Sequence, residues 1–153
     1  LDHMYKEDYD DGTLHYYIVN KISLGIIVYA KCLSHWLFSG LPIVVIAPFC
    51  IYIFSGYSEI NFNLFISLVI GTPIFTLIGS PIAALMLGSS LRGAALTFIT
   101  LPFYLPIIIF GVMGTNLNNS NINAEFYLLL AILSIGIVFF PIITIKILKY
   151  TIN

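Results

Sequence analysis

Residues 64–87 read LFISLVIGTPIFTLIGSPIAALML, with no ionisable side chain anywhere in the stretch. A helix on the surface of a soluble protein carries charges along one face. This segment has none, and it is long enough for a bilayer core, which takes about 20 apolar residues per helix. It is read as a membrane span. Working outward gives three more of the same kind, at about 36–55, 94–114 and 126–145. Lipid offers no partner for an unpaired backbone group, so all four are expected to be helices. The connections GYSEINFN (56–63), GSSLRG (88–93) and TNLNNSNINAE (115–125) are polar and turn-forming.

Composition agrees. Of 153 residues, 59% are hydrophobic and 8% are charged, and mean hydropathy is +1.02. A soluble domain carries roughly 25% charged residues to cover its surface. The net charge of −1 says nothing about a nucleic-acid partner, but there is no basic patch and none is expected. The fold class expected is all-α: a polytopic membrane helix bundle of four transmembrane helices, preceded by a cytoplasmic amphipathic segment. Residues 1–35 form the coupling segment and a helix leading into the membrane, and residues 36–153 the transmembrane domain.

Charge orients the bundle. With residues 1–35 inside, Lys6, Lys21, Lys31, Arg92, Lys146 and Lys149 all fall on the cytoplasmic side and the outer loops hold no basic residue. Insertion favours that arrangement. Within LGIIVYAKCLSHWL (24–37), Lys31, Ser34 and His35 share one helical face. The segment is either a helix entering at a shallow angle or the inner turns of a long first span, which Pro42 and Pro48 would bend.

The sequence contains no Walker A, HExxH or GxSxG motif and no carboxylate pair at catalytic spacing. No ionisable group sits at mid-span, where ion-coupled transporters place them. A non-catalytic subunit driven by a partner fits better than an enzyme or a secondary transporter. Cys32 and Cys50 read as small buried hydrophobes, and without CxxCH no haem is bound covalently. In LPFYLP (101–106), Pro102 and Pro106 remove two backbone donors on one face. They either pack as prolines commonly do in membrane helices or break the third span into half-helices. His35 and Trp36 are either interfacial anchors or a haem contact. Leu1, Met4, Tyr5 and Tyr9 form one stripe of a short helix, with Glu7, Asp8, Asp10 and Asp11 largely opposite and Gly12 suited to end it. Anionic lipid would repel such a face, so a protein partner is the better counterpart.

Four stretches, LDHMYKEDYDDGTL (1–14), AKCLSHWLFSGLPIVVIAP (30–48), IGTPIFTLIGSPIAALMLG (70–88) and RGAALTFITLPFYLPIIIFG (92–111), together resemble the CcmB family of haem exporter permeases. The Asp8-x-x-Asp11-Gly12-Thr13-Leu14 run, the His35-Trp36…Gly40-Leu41-Pro42 run and the Gly71-Thr72-Pro73…Gly79…Pro81…Gly88 run carry the resemblance in combination. It implies a six-span, ABC-2-like permease of cytochrome c maturation, of which this chain would be the last four spans and the loop before them. By the same resemblance, Glu7, Asp8, Asp10, Asp11 and Gly12 touch an ATP-binding subunit. The other partners implied are a haem-handling membrane subunit and a small accessory subunit, with haem as the transported substrate. A bacterial inner membrane, or the mitochondrial one, would house the complex. A non-transporting scaffold of the same assembly is the alternative. The sequence departs from the family pattern in keeping one basic residue at Leu91-Arg92-Gly93 and in having Asn20-Lys21-Ile22-Ser23 where the family has a proline-rich stretch.

Single cysteines introduced at Ser120 and Ser89 test the orientation. Ser120 should react with a membrane-impermeant thiol reagent added outside, and Ser89 only from inside. The reverse pattern would refute the topology.

Overall fold

The computed structural model describes residues 3–55, 62–87, 93–115 and 124–152. Positions 89, 92 and 120, used in the topology above, lie outside the described residues. The elements are α1 (His3–Asp10), α2 (Thr13–Val19), α3 (Leu24–His35), a π-helical turn (Trp36–Gly40), α4 (Leu41–Ser55), α5 (Phe62–Leu85), α6 (Gly93–Met113) and α7 (Ala124–Ile152). Three helices are long and apolar enough to cross a membrane: Leu24–Phe54, Phe62–Leu85 and Ala124–Thr151. Phe98–Met113 is a shorter apolar helix.

Helix α5 is the centre. In its most apolar window 44% of residues are buried, against 22% for the Ala124–Thr151 helix and 11% for Leu24–Phe54. Its sequence explains why. Ile70, Ile74, Ile78 and Ile82 recur every four residues and all are buried, which makes one continuous ridge. Buried small residues between them, Gly71, Gly79, Ser80, Ala83 and Ala84, let neighbouring helices approach. The ridge packs with Val28, Ile107, Leu129 and Leu148 from α3, α6 and α7. Large apolar side chains elsewhere, such as Phe54, Phe98 and Ile135, point outward.

The span beginning at Leu24 is one long helix. The segment before position 36 continues without a break through the π turn into α4. At the turn the Leu41 N–H bonds the Trp36 carbonyl, five residues back. The widened turn lies just before Pro42, whose ring would clash with the carbonyl four residues behind it in a regular helix. Gly40 completes the turn: a Cβ there would lie 2.5 Å from Trp36 Cδ1, so the indole rests directly on the glycine backbone.

Side chains supply donors to two backbone carbonyls that helical bonding leaves open, one behind a proline and one at a helix end. Pro141 has no N–H for the Ile137 carbonyl, and the Tyr29 hydroxyl of α3 donates to that oxygen at 2.8 Å. The Gly111 carbonyl belongs to the last turn of α6, where helical donors run out. Ser67 of α5 donates to it at 2.8 Å. Helix α6 is helical through both Pro102 and Pro106, so they do not divide it into half-helices. The two prolines lie four residues apart, on one side of the helix and exposed, and the bonds on its other faces carry the helix past them. Cys32 is buried as expected, whereas Cys50 is exposed on α4. Its neighbours there, Phe49 and Ile51, are exposed too, because α4 packs mainly by one edge.

The donor from α3 to α7 can be tested by compensation. Tyr29→Phe should cost about 0.6–2 kcal/mol, the range for an interhelical hydrogen bond in a membrane. In that background Pro141→Ala restores a backbone N–H to Ile137 and should recover part of the loss. Strictly additive losses in thermal unfolding of the two single variants and the double variant would refute this role for Tyr29.

Candidate functional site

The candidate site is the end of the bundle where α1 is seated. Its sequence, HMYKEDYD, turns Tyr5 fully inward and sets Met4 and Tyr9 against the core, while Lys6, Glu7 and Asp10 face out. The aromatic stripe read from the sequence is therefore the docking face. Gly12 separates α1 from α2 at φ 72°, a left-handed conformation open to glycine at little cost. The chain then turns back, and Leu14 is buried as a second anchor.

A chain of hydroxyls holds Tyr5. Its phenol lies 2.8 Å from Ser80 Oγ of α5, and Ser80 lies 3.2 Å from Thr144 Oγ1 of α7. Thr144 donates to the Phe140 carbonyl at 2.9 Å. Each hydroxyl has a single proton, so the direction of the chain follows from its last link. Thr144, having donated, accepts from Ser80, and Ser80 accepts from Tyr5. Every oxygen is satisfied, as burial demands. Burial, reinforced by the neighbouring Cys32 thiol, pushes the Tyr5 phenol far above its ordinary range. It stays neutral at any physiological pH and keeps its proton to donate.

A second tie comes from α3. Lys31 Nζ lies 2.7 Å from Asp8 Oδ2 and donates to the Met4 carbonyl at 2.7 Å. It also sits 5.8 Å from the centre of the Tyr5 ring, within cation–π range. One ammonium thus holds the start of α1, its middle and its aromatic anchor.

The acidic residues named from the sequence divide. Glu7, Asp10 and Asp11 are exposed beside Gly12, and Asp8 is half-buried in the ion pair with Lys31. His35 and Trp36 lie about 17 Å along the helix that begins at Leu24, taking 1.5 Å per residue. Trp36 Nε1 donates to Thr72 Oγ1 at 2.9 Å, and His35 Nδ1 is 3.5 Å from both Ser39 Oγ and Thr76 Oγ1. Both side chains therefore engage α5 or the π turn. Among the described residues no group of three or more His, Cys, Asp or Glu could hold a metal ion.

Sequence reading missed the Tyr5–Ser80–Thr144 chain and the part played by Lys31. Ser80 and Thr144 are polar residues inside apolar helices, and that was the available signal. Their partner, 75 residues from Ser80, was not legible. Described charges also sort by end. Lys6, Lys21, Lys31, Lys146 and Lys149 belong to the α1 end, where Gly25 of α3 meets Ile145 of α7. Glu125 belongs to the opposite end, where Gly114 of α6 meets Phe126 of α7.

A family model described as "CcmB protein" matches residues 1–150. Among curated relatives, each named heme exporter protein B, the one from Pseudomonas aeruginosa is 34% identical over 111 residues, 72% of this chain and 50% of its own length. That from Rhodobacter capsulatus is 34% identical over 111 residues, 72% of this chain and 51% of its own. That from Bradyrhizobium diazoefficiens is 28% identical over 144 residues, 92% of this chain and 65% of its own. The chain spans about half the length of the first two.

The Lys31 tie makes a specific demand. Lys31→Met or Asp8→Asn should weaken seating of α1 by about 1.5–3 kcal/mol, the range for a hydrogen bond to a charged group. That raises the undocked population roughly 10- to 150-fold, read as faster amide exchange in α1 than in α5. Exchange in α1 unchanged by either substitution would show that Lys31 does not hold it.

Proposed function

The chain belongs to the CcmB family, and on that premise we propose that it is part of the membrane permease of an ABC-type haem exporter acting in c-type cytochrome biogenesis. ATP is hydrolysed by a partner subunit, and haem is substrate rather than resident cofactor. In this reading α6 completes a set of four spans, the α1 end faces the cytoplasm, and the membrane is a bacterial inner membrane. A haem-handling membrane subunit and a small accessory subunit complete the assembly.

One observation carries the reading. Helix α1 is fastened by Tyr5 to both α5 and α7 while Glu7, Asp10 and Asp11 stay exposed. A helix so fastened passes a displacement directly to two spans. Its exposed acids suit a basic surface on an ATP-binding partner, since anionic lipid would repel them. Glu7, Asp10 and Asp11 form the contact, Gly12 sets the angle between α1 and α2, and Asp8 contributes by holding α1 to Lys31. The five lysines at this end favour its cytoplasmic placement.

Charge reversal tests the contact. Asp10→Lys with Asp11→Lys should leave insertion intact and change stability by about 0.5 kcal/mol or less, as for other exposed sites. Like charges brought together at an interface cost several kcal/mol, so co-purification of the ATP-binding subunit and cytochrome c maturation should both be lost. Normal insertion with wild-type cytochrome c assembly would refute the coupling assignment. Retained ATPase without haem-dependent stimulation of the wild type would favour a scaffold.

A further inference from the structure

On the same end of the bundle, a cavity of about 520 Å³ opens between the turn after α2, the start of α3 and the last turns of α7. Lys21 and Lys149 line it, with Ser23 between the two helices and Ile18, Ile22 and Ile145 as an apolar wall. None of the lining residues is acidic. Among the described residues, the lysine that forms an ion pair is Lys31, with Asp8, and neither Lys21 nor Lys149 is in one. The Ser23 hydroxyl is not spent on capping α3. Two ammonium groups and a hydroxyl therefore face one space to which the described lining residues supply no counter-charge.

We propose that this cavity binds a phosphate-bearing anion, namely the headgroup of an anionic phospholipid, held by Lys21, Lys149 and Ser23. The position decides between a lipid and a free anion. The cavity lies where the apolar helices Leu24–Phe54 and Ala124–Thr151 both reach their ends, the level at which a bilayer presents its phosphates. Isoleucines beside the lysines suit the glycerol and upper acyl chain of a lipid, whereas a free anion would gain nothing from them. Basic pockets between membrane helices bind lipid headgroups by this combination. The proposal depends on α3 and α7 crossing the membrane and not on the ATP-binding partner docking at α1.

Native mass spectrometry of the full-length protein in detergent, titrated with phosphatidylglycerol and with phosphatidylcholine, reads the site directly. Phosphatidylglycerol should be retained selectively. Lys21→Ala or Lys149→Ala should each weaken it roughly fivefold, and the pair roughly thirtyfold, from the attraction of about one lysine each near an anionic headgroup. Lys21→Arg with Lys149→Arg should retain binding. Should the alanine pair fail to fold, Lys21→Gln with Lys149→Gln serves as the neutral variant. Undiminished selective binding in a folded neutral pair would overturn the site. Inorganic phosphate and glycerol phosphate form the competing arm, and displacement of the lipid by either at its own concentration would overturn the lipid assignment in favour of a free anion.

Discussion

A backbone carbonyl in lipid that has lost its helical donor must find another, because no water is present to supply one. This chain carries proline inside α4, α5, α6 and α7. Proline and helix ends both leave such carbonyls, and the outcome is visible at particular atoms. Tyr29 reaches from α3 to the Ile137 carbonyl that Pro141 leaves unbonded, and Ser67 reaches from α5 to a terminal carbonyl of α6. Next to Pro42 the helix itself gives way, widening into a π turn with a bond from Leu41 to Trp36. Each repair joins helices or reshapes one. The requirement to satisfy the backbone thus helps to decide which helix lies against which.

Around α5 the packing is dense because its residues are small or evenly spaced. Tyr104 of α6 donates to the Phe75 carbonyl at 3.0 Å, and the two rings meet edge-on with centroids 4.7 Å apart. Trp36 bonds Thr72, which in turn donates to the Leu68 carbonyl. Such bonds are individually modest in membranes, about 0.6 to 2 kcal/mol. They fix the relative rotation of helices whose apolar surfaces alone would pack in several ways. The outward faces of α4 and α6 carry large apolar residues, as lipid contact requires.

Helix α1 is attached differently. Its eight residues are too few to hold a helix in water unaided, so its order depends on the bundle. The Tyr5 hydroxyl chain runs through α5 to α7, and the Lys31 ammonium adds a tie from α3. The acidic face is therefore presented on a support that includes the two helices at the heart of the bundle. The coupling role proposed for α1 requires that mechanical continuity, which an acidic helix tethered by a flexible loop would lack.

Residues 64–87, by lacking every charge, determined the membrane helix at the core of this protein. The lysine distribution determined which ends of the helices belong together, and the Met4–Tyr5–Tyr9 stripe determined the inner face of α1. These properties are local or periodic, and one-dimensional patterns record them. The seating of Tyr5 on Ser80 and Thr144 and the pairing of Asp8 with Lys31 were decided by tertiary structure, and the continuity of α6 through Pro102 and Pro106 also shows only in the folded chain. The first two depend on partners brought together from distant turns of other helices. The third depends on the bonds left on the other faces of α6 after two donors are lost. Sequence spacing shows which groups need a partner, but only the packed bundle, by its distances, selects the partner.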